Sequence, residues 1–218
     1  MSKVSRRAVP SSAVTVTAAL FDFGGVILSS PFDAFARYET EHRLPTGFIR
    51  RVNATDPDAN AWARLERSAV DLDTFADAFE EESAALGHRV PGRDVLALLA
   101  GEVRPEMAEA VRRCRQRLKT ALLTNNVSGM ELDPAMAEIV SLFDVVVESS
   151  AVGVRKPDPD FYEIACSRLG IEASEAVFLD DLGINLKPAR AMGMTTIKVD
   201  DPAVAIAELE VVVGFPLS

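Results

Sequence analysis

Two cysteines, two histidines, one tryptophan and two tyrosines are all that 218 residues carry of these four types, and the scarcity narrows the chemistry. Cys114 and Cys166 fall in segments that read as amphipathic helices, so buried free thiols in a reducing cytoplasm fit better than a disulfide or a thiolate metal site. His42 and His88 lie in no motif. No stretch approaches the roughly 18 consecutive apolar residues of a membrane helix. Cationic excess is missing too: the formal charge is −10, which argues against a nucleic-acid backbone and, less strongly, an anionic membrane as partner. A local basic pocket for a small phosphate remains compatible with that balance. Met1-Ser-Lys-Val-Ser-Arg-Arg7 has the charged start of an export signal, but a Thr- and Ser-rich segment follows it, and the expectation is a cytoplasmic protein. There is no internal repeat or low-complexity tract.

What is present is ample apolar content, 48%, and the length of one large domain or a domain with an insertion. Five short runs rich in Val, Leu, Ile, Phe and Thr read as buried strands: Val14 to Phe21, Thr120 to Thr124, Asp144 to Glu148, Ala176 to Leu179 and Thr195 to Val199. Helical patterns separate them, over Pro105 to Leu118, Pro134 to Ser141, Pro159 to Leu169 and Leu186 to Met192, which is the spacing of a doubly wound α/β sheet. The roughly 97 residues between the first two strands are too many for one crossover. They alternate apolar and charged positions at helical spacing over Phe32 to His42 and Ala61 to Leu86, and Pro45, Pro57 and Pro91 punctuate them. The expected organisation is an α/β core of residues 1–30 and 92–218 with an inserted all-helical cap of residues 31–91.

In such sheets ligands sit beyond the carboxyl ends of the strands, where Asp22, Thr124, Asp180 and Asp181 fall. A carboxylate at Asp22, followed by the flexible Gly24-Gly25, is able to attack phosphorus and form an acyl phosphate. Lys156 supplies positive charge. Thr124 and the amides of Asn125 and Asn126 are placed to grip phosphate oxygens. Asp180 and Asp181 would repel Asp22 unless a hard divalent cation such as Mg²⁺ joined the three. Each residue also has a plain reading: Asp22 a turn former, Thr124 turn chemistry, Lys156 a solvated loop lysine, Asp180-Asp181 a helix cap. Their occurrence in order, each at a strand end, favours the joint reading. In the helical insert, Trp62, Arg64 and Glu66 either face the site or serve as core and surface.

Phe21-Asp-Phe-Gly-Gly-Val26, Leu123-Thr-Asn125, Val154-Arg-Lys-Pro-Asp158 and Val177-Phe-Leu-Asp-Asp-Leu-Gly-Ile-Asn185 resemble the four motifs of the haloacid dehalogenase superfamily. Within it, Phe178 to Arg190 and Glu148 to Lys156 are most similar to the N-terminal phosphatase domains of soluble epoxide hydrolases. The resemblance implies a Rossmann-like core with a helical cap, Asp22 as nucleophile, Thr124 as phosphate-binding hydroxyl and Lys156 as charge stabiliser. It implies Mg²⁺ held by Asp22, the Gly24 carbonyl and Asp181 with Asp180 beside it, and phosphate or substrate contacts from Asn125 and Asn126. Asn185 stands where many relatives carry another acid. Gly24 stands where the typical phosphatase has a second aspartate for proton transfer. Three functions follow: a Mg²⁺-dependent phosphatase on a small phosphorylated metabolite, slowed by Gly24; a phosphate- or metal-binding relative without turnover; or a metal-free hydrolase of carbon–halogen bonds. Oligomeric state has no signature here.

Overall fold

The structure, a computed structural model, describes residues 15–99, 101–126 and 134–217. Five parallel strands form one sheet: β1 (Ala18–Phe21), β2 (Lys119–Thr124), β3 (Val145–Glu148), β4 (Ala176–Asp180) and β5 (Thr195–Lys198), in the order β3-β2-β1-β4-β5. β1 is central, pairing with β2 through Phe21 and Leu122 and with β4 through Phe21 and Leu179. Because side chains alternate along a strand, its two faces fill different cores. Ala19 and Phe21, with Leu122, Val177, Leu179 and Ile197, pack under α6 (Pro105–Arg115), α7 (Pro134–Val140) and α11 (Pro202–Val213). Ala18 and Leu20, with Ala121, Leu123, Val147 and Phe178, pack under α9 (Pro159–Leu169) and α10 (Gly183–Ala191). This sandwich explains why the strands read as unbroken apolar runs.

The insert folds as α1 (Pro31–Glu41), α2 (Phe48–Ala54), α3 (Ala61–Glu66), α4 (Leu72–Ala85) and α5 (Gly92–Ala97). Its own apolar cluster joins Phe35, Phe48, Ile49, Leu65, Phe75, Phe79 and Val95. Capping explains the start of α1, where Pro31 opens the first turn and the Ser30 hydroxyl accepts from the Phe32 N–H. The expected helix over Ala61 to Leu86 is instead two. Ser68 takes φ 56°, a conformation outside any helix, and Asp71 starts α4 afresh by accepting from the Thr74 N–H. Helices α2 and α5 carry no signal strong enough to have been read from periodicity, being 7 and 6 residues long.

β1 is four residues rather than the eight of Val14 to Phe21. Thr17 still bonds to both neighbours, through its N–H to Glu175 O and its carbonyl to the Lys119 N–H, but Thr15 is exposed, and Val14 lies outside the described residues, as does the Met1 to Arg7 segment. The helix expected to run to Leu118 stops at Arg115, where basic side chains crowd its C-terminal turn. A short α8 (Ser149–Val152) leads from β3 toward Lys156. Among the described residues, no helix is long and apolar enough to cross a membrane.

α5 packs closely on α4, and Gly92 is the reason it can: a Cβ there would sit 2.5 Å from the Ala76 backbone. Gly92→Ala is expected to destabilise the protein by about 1–3 kcal/mol in urea unfolding, since backbone atoms cannot swing aside as a side chain would. An unchanged midpoint would show that the two helices are not held together at this point.

Candidate active site

The parallel arrangement brings the carboxyl ends of β1, β2 and β4, with Thr124 and Asp181, to one edge, and there Asp22 and Asp180 meet Lys156. The Lys156 side chain is 1% exposed, and its ammonium lies 2.7 Å from Asp22 Oδ1 and 2.8 Å from Asp180 Oδ2. Its backbone is held as well, since the Lys156 N–H donates to Asn125 Oδ1 and the Lys156 carbonyl accepts from Asn125 Nδ2. Burial disfavours the ammonium, but Asp180 and Asp22 outweigh it and hold Lys156 above the ordinary lysine range.

Asp22 is anchored by its own N–H to Leu179 O, and its Oδ1 also accepts from the Phe23 N–H at 2.7 Å. Its Oδ2 has no hydrogen-bond partner among the described residues. Burial pushes its carboxyl well above the usual range; Lys156 pulls the other way, and Asp180 and Asp181 push up again. Asp180 is fully committed: Oδ2 to Lys156, both oxygens to the Asn185 amide at 3.0 and 3.1 Å, and Oδ1 to the Leu182 N–H. Asn185 is in turn fixed through its carbonyl by the Tyr162 hydroxyl at 2.7 Å. Burial, then Asp180 and Asp22, raise that phenol above the ordinary tyrosine range, so it stays a donor.

Asp181 bonds to its own backbone and, among the described residues, to no other side chain, and its carboxyl is pushed up to about 6, first by burial and then by Asp180, against the attraction of Lys156. Carboxylate oxygens of Asp22, Asp180 and Asp181 lie within 4.8 Å of one another. Three carboxylates against one buried ammonium leave an excess of negative charge, the condition a hard divalent cation satisfies; the oxygen-only donor set suits Mg²⁺. The Gly25 position allows this convergence. It takes φ 77°, and a Cβ would lie 2.2 Å from Asp181 Oδ2, so only glycine lets the turn approach. Gly24 is different: φ is −67° and a Cβ would meet only Pro31 Cδ at 3.9 Å. The backbone there does not demand glycine.

Thr124 ends β2 with its side chain nearly buried and its hydroxyl without a partner among the described residues. Asn125 and Asn126, expected as phosphate or substrate contacts, have their side chains engaged elsewhere. Asn125 clamps Lys156, whereas Asn126 holds α8: its amide donates to Glu148 Oε1 at 2.8 Å, its Oδ1 accepts from Ser150, and its N–H donates to Ser149 Oγ. Neighbouring polar groups within hydrogen-bonding reach captured them, which linear sequence does not reveal. Trp62 packs edge-on against Phe75 inside the helical insert, Arg64 is exposed, and Glu66 is buried against Arg155. Arg155 and Arg104, whose guanidinium donates to Gly25 O at 2.8 Å, are contacts that sequence reasoning missed. Their only signal is adjacency to Lys156 in one case and to the α6 start in the other.

Residues 16–193 match the family model of haloacid dehalogenase-like hydrolases. The chain is 36% identical over 206 residues to acyl-CoA dehydrogenase family member 10 of Mus musculus, covering 92% of this chain and 19% of that protein. It is 41% identical over 213 residues to bifunctional epoxide hydrolase 2 of Rattus norvegicus, covering 90% of this chain and 38% of that protein. The chain thus spans well under half the length of these two relatives. Phosphatase MT3486 of Mycobacterium tuberculosis is 32% identical, with 86% of this chain and 88% of that protein covered. Among solved structures, a HAD family enzyme from Bacteroides thetaiotaomicron, in complex with magnesium and inorganic phosphate, shares the fold at a TM-score of 0.58, with 18% identity, over 84% of this chain and 93% of that one.

The raised Asp181 has a consequence for stability. A folded-state value of about 6, above the ordinary aspartate value, means the native protein binds this proton more tightly than the unfolded chain does. Asp181 therefore withdraws stability as pH rises from about 4 to 6, a loss of about 1–3 kcal/mol once complete. In EDTA, Asp181→Asn is expected to melt progressively higher than the parent as pH increases from 4.5 to 7. A difference in melting temperature that stays constant across that range would contradict the assignment.

Proposed function

The chain belongs to the haloacid dehalogenase-like hydrolases, and on that premise we propose that it is a Mg²⁺-dependent phosphomonoesterase acting on a small phosphorylated metabolite through a phosphorylated Asp22. One observation carries the reading. Asp22 has one oxygen, Oδ1, pinned by Lys156 and the Phe23 N–H, and the other without a hydrogen bond among the described residues, while the Asp180 and Asp181 carboxylates stand within 4.8 Å. A nucleophile held by one oxygen and open at the other is oriented for in-line attack. Phosphatase MT3486, most of whose length this chain covers, supports the same class.

In the proposed reaction, Asp22 Oδ2 bonds to phosphorus as the ester oxygen departs with the bonding electrons. Lys156 offsets charge on Asp22 and on the transferring group, and the Thr124 hydroxyl donates to a phosphoryl oxygen. Mg²⁺, held by Asp22, Asp181 and the Gly24 carbonyl, would supply the positive charge that lets a dianion approach three carboxylates. Asn185 and the Leu182 N–H keep Asp180 aimed at Lys156 rather than at the ligand. The helical cap expected over residues 31–91, extended to 99 because Val95 of α5 joins its apolar cluster, shields the site and selects the substrate. The free thiols of Cys114 and Cys166 fit a cytoplasmic setting.

Gly24 supports a second reading. With no carboxylate at that position, leaving-group protonation and water activation lose a positioned group, worth roughly 10²–10⁴ in rate. That supports slow turnover, a preference for leaving groups that depart unprotonated, or binding without turnover. A metal-free dehalogenase fits less well, because it leaves Asp181 without a role.

Stopped-flow hydrolysis of p-nitrophenyl phosphate separates these readings. The expected trace is a Mg²⁺-dependent burst of about one equivalent followed by slow turnover, and no product above background with Asp22→Asn. Mg²⁺ binding by calorimetry with no product above the Asp22→Asn blank would favour the non-hydrolytic relative, whereas a steady rate without a burst would show that dephosphorylation is not limiting. Because position 24 has room and an ordinary backbone, Gly24→Asp is expected to speed the slow phase by about tenfold or more. A slow phase unmoved by Gly24→Asp would mean that another group already activates the water.

A further inference from the structure

Residues 32–99 share no apolar cluster with the α/β core: the cluster around Phe75 contains none of the residues that pack on the sheet. Among the described residues, two groups of hydrogen bonds link the helical unit to the core. At the chain crossings, Leu28 and Val103 form an antiparallel bridge, flanked by Ser29 N–H to Glu102 O and Arg104 N–H to Ile27 O, both at 2.8 Å. Far from that crossing in sequence, the guanidinium of Arg155 reaches into the helical unit, where it binds the Glu66 carboxylate with Nη1 and the Pro57 carbonyl with Nη2. The Ser68 hydroxyl donates to Ser150 O at 3.2 Å beside it. The Arg155 and Glu66 side chains are 17% and 7% exposed.

We propose that Arg155 is a positioning residue, the clasp that holds the helical unit shut over Lys156. One planar fork engages two acceptors from two segments of that unit, so it fixes both approach and orientation, which a lysine cannot do. A clasp made of a buried ion pair suits reversible closure. Its attraction is largely offset by desolvation, so the closed form is favoured only modestly and reopening does not require apolar surface to be stripped bare. A two-strand crossing of short backbone bonds permits rotation that a shared core would forbid. Arg155 precedes Lys156 directly, so closure and the charge at the site sit on one stretch of backbone. The inference rests on the reading of residues 31–99 as a cap, and it does not depend on the phosphatase chemistry.

Hydrogen exchange read by mass spectrometry on the full chain tests the clasp without reference to activity. In Arg155→Gln, exchange is expected to rise in peptides covering 57–68 and 149–156 and to stay unchanged across α4, with Arg155→Lys intermediate. No change in either peptide would overturn the proposal. A rise that spreads through α4 would also overturn it, by showing that Arg155 supports folding of the helical unit rather than its closure. With p-nitrophenyl phosphate, Arg155→Gln is expected to raise KM about tenfold with kcat changed less than threefold, as when the binding-competent fraction falls. Should the parent show no hydrolysis, the phosphatase reading fails, and the exchange pattern alone decides the clasp.

Discussion

The buried ammonium of Lys156, seated between Asp22 and Asp180, is the constraint on which the rest of the site depends. A charge this deep is tolerated only when it is paired and hydrogen-bonded, because the interior cannot replace water's solvation otherwise. The neighbouring residues answer that demand in layers. Asn125 fixes the Lys156 backbone from both sides, Asn185 and the Leu182 N–H satisfy Asp180, and Tyr162 fixes Asn185. With Asp180 spent on Lys156, the remaining negative charge belongs to Asp22 and Asp181, and it is there that a cation would be held.

The two adjacent glycines divide along the same logic. Gly25 is a steric necessity, since any side chain would strike Asp181 and the backbone is left-handed. Gly24 is not, having ordinary backbone angles and open space where a side chain would go. A motif that looks like a single flexible turn thus contains one residue demanded by packing and another that packing does not demand.

Much of the fold was legible because burial imposes simple patterns. Parallel strands covered on both faces are continuous apolar runs, and Phe21, Leu123 and Leu179 each precede the polar residue at the carboxyl end of its strand. Strand ends were readable to within a few residues, except at β1, where Thr15 to Thr17 keep strand-like composition without a full ladder. The helical insert was harder to read. The break at Ser68 and the short helices α2 and α5 arise from packing around Phe48, Phe75 and Val95, contacts made across the chain rather than along it.

By itself the sequence determined which residue types stand at the strand ends, and hence that carboxylates, a hydroxyl and a lysine would share one edge of the sheet. Which oxygen or amide binds which was decided only by the tertiary structure. It turned Asn126 toward α8, committed Asp180 to Lys156, and carried Arg155 to Glu66 across 89 positions of chain. The physical reason is range. Strand and helix patterns follow from local periodicity and burial, whereas polar partners are chosen by angles and distances of a few ångströms between segments that only the folded chain brings together.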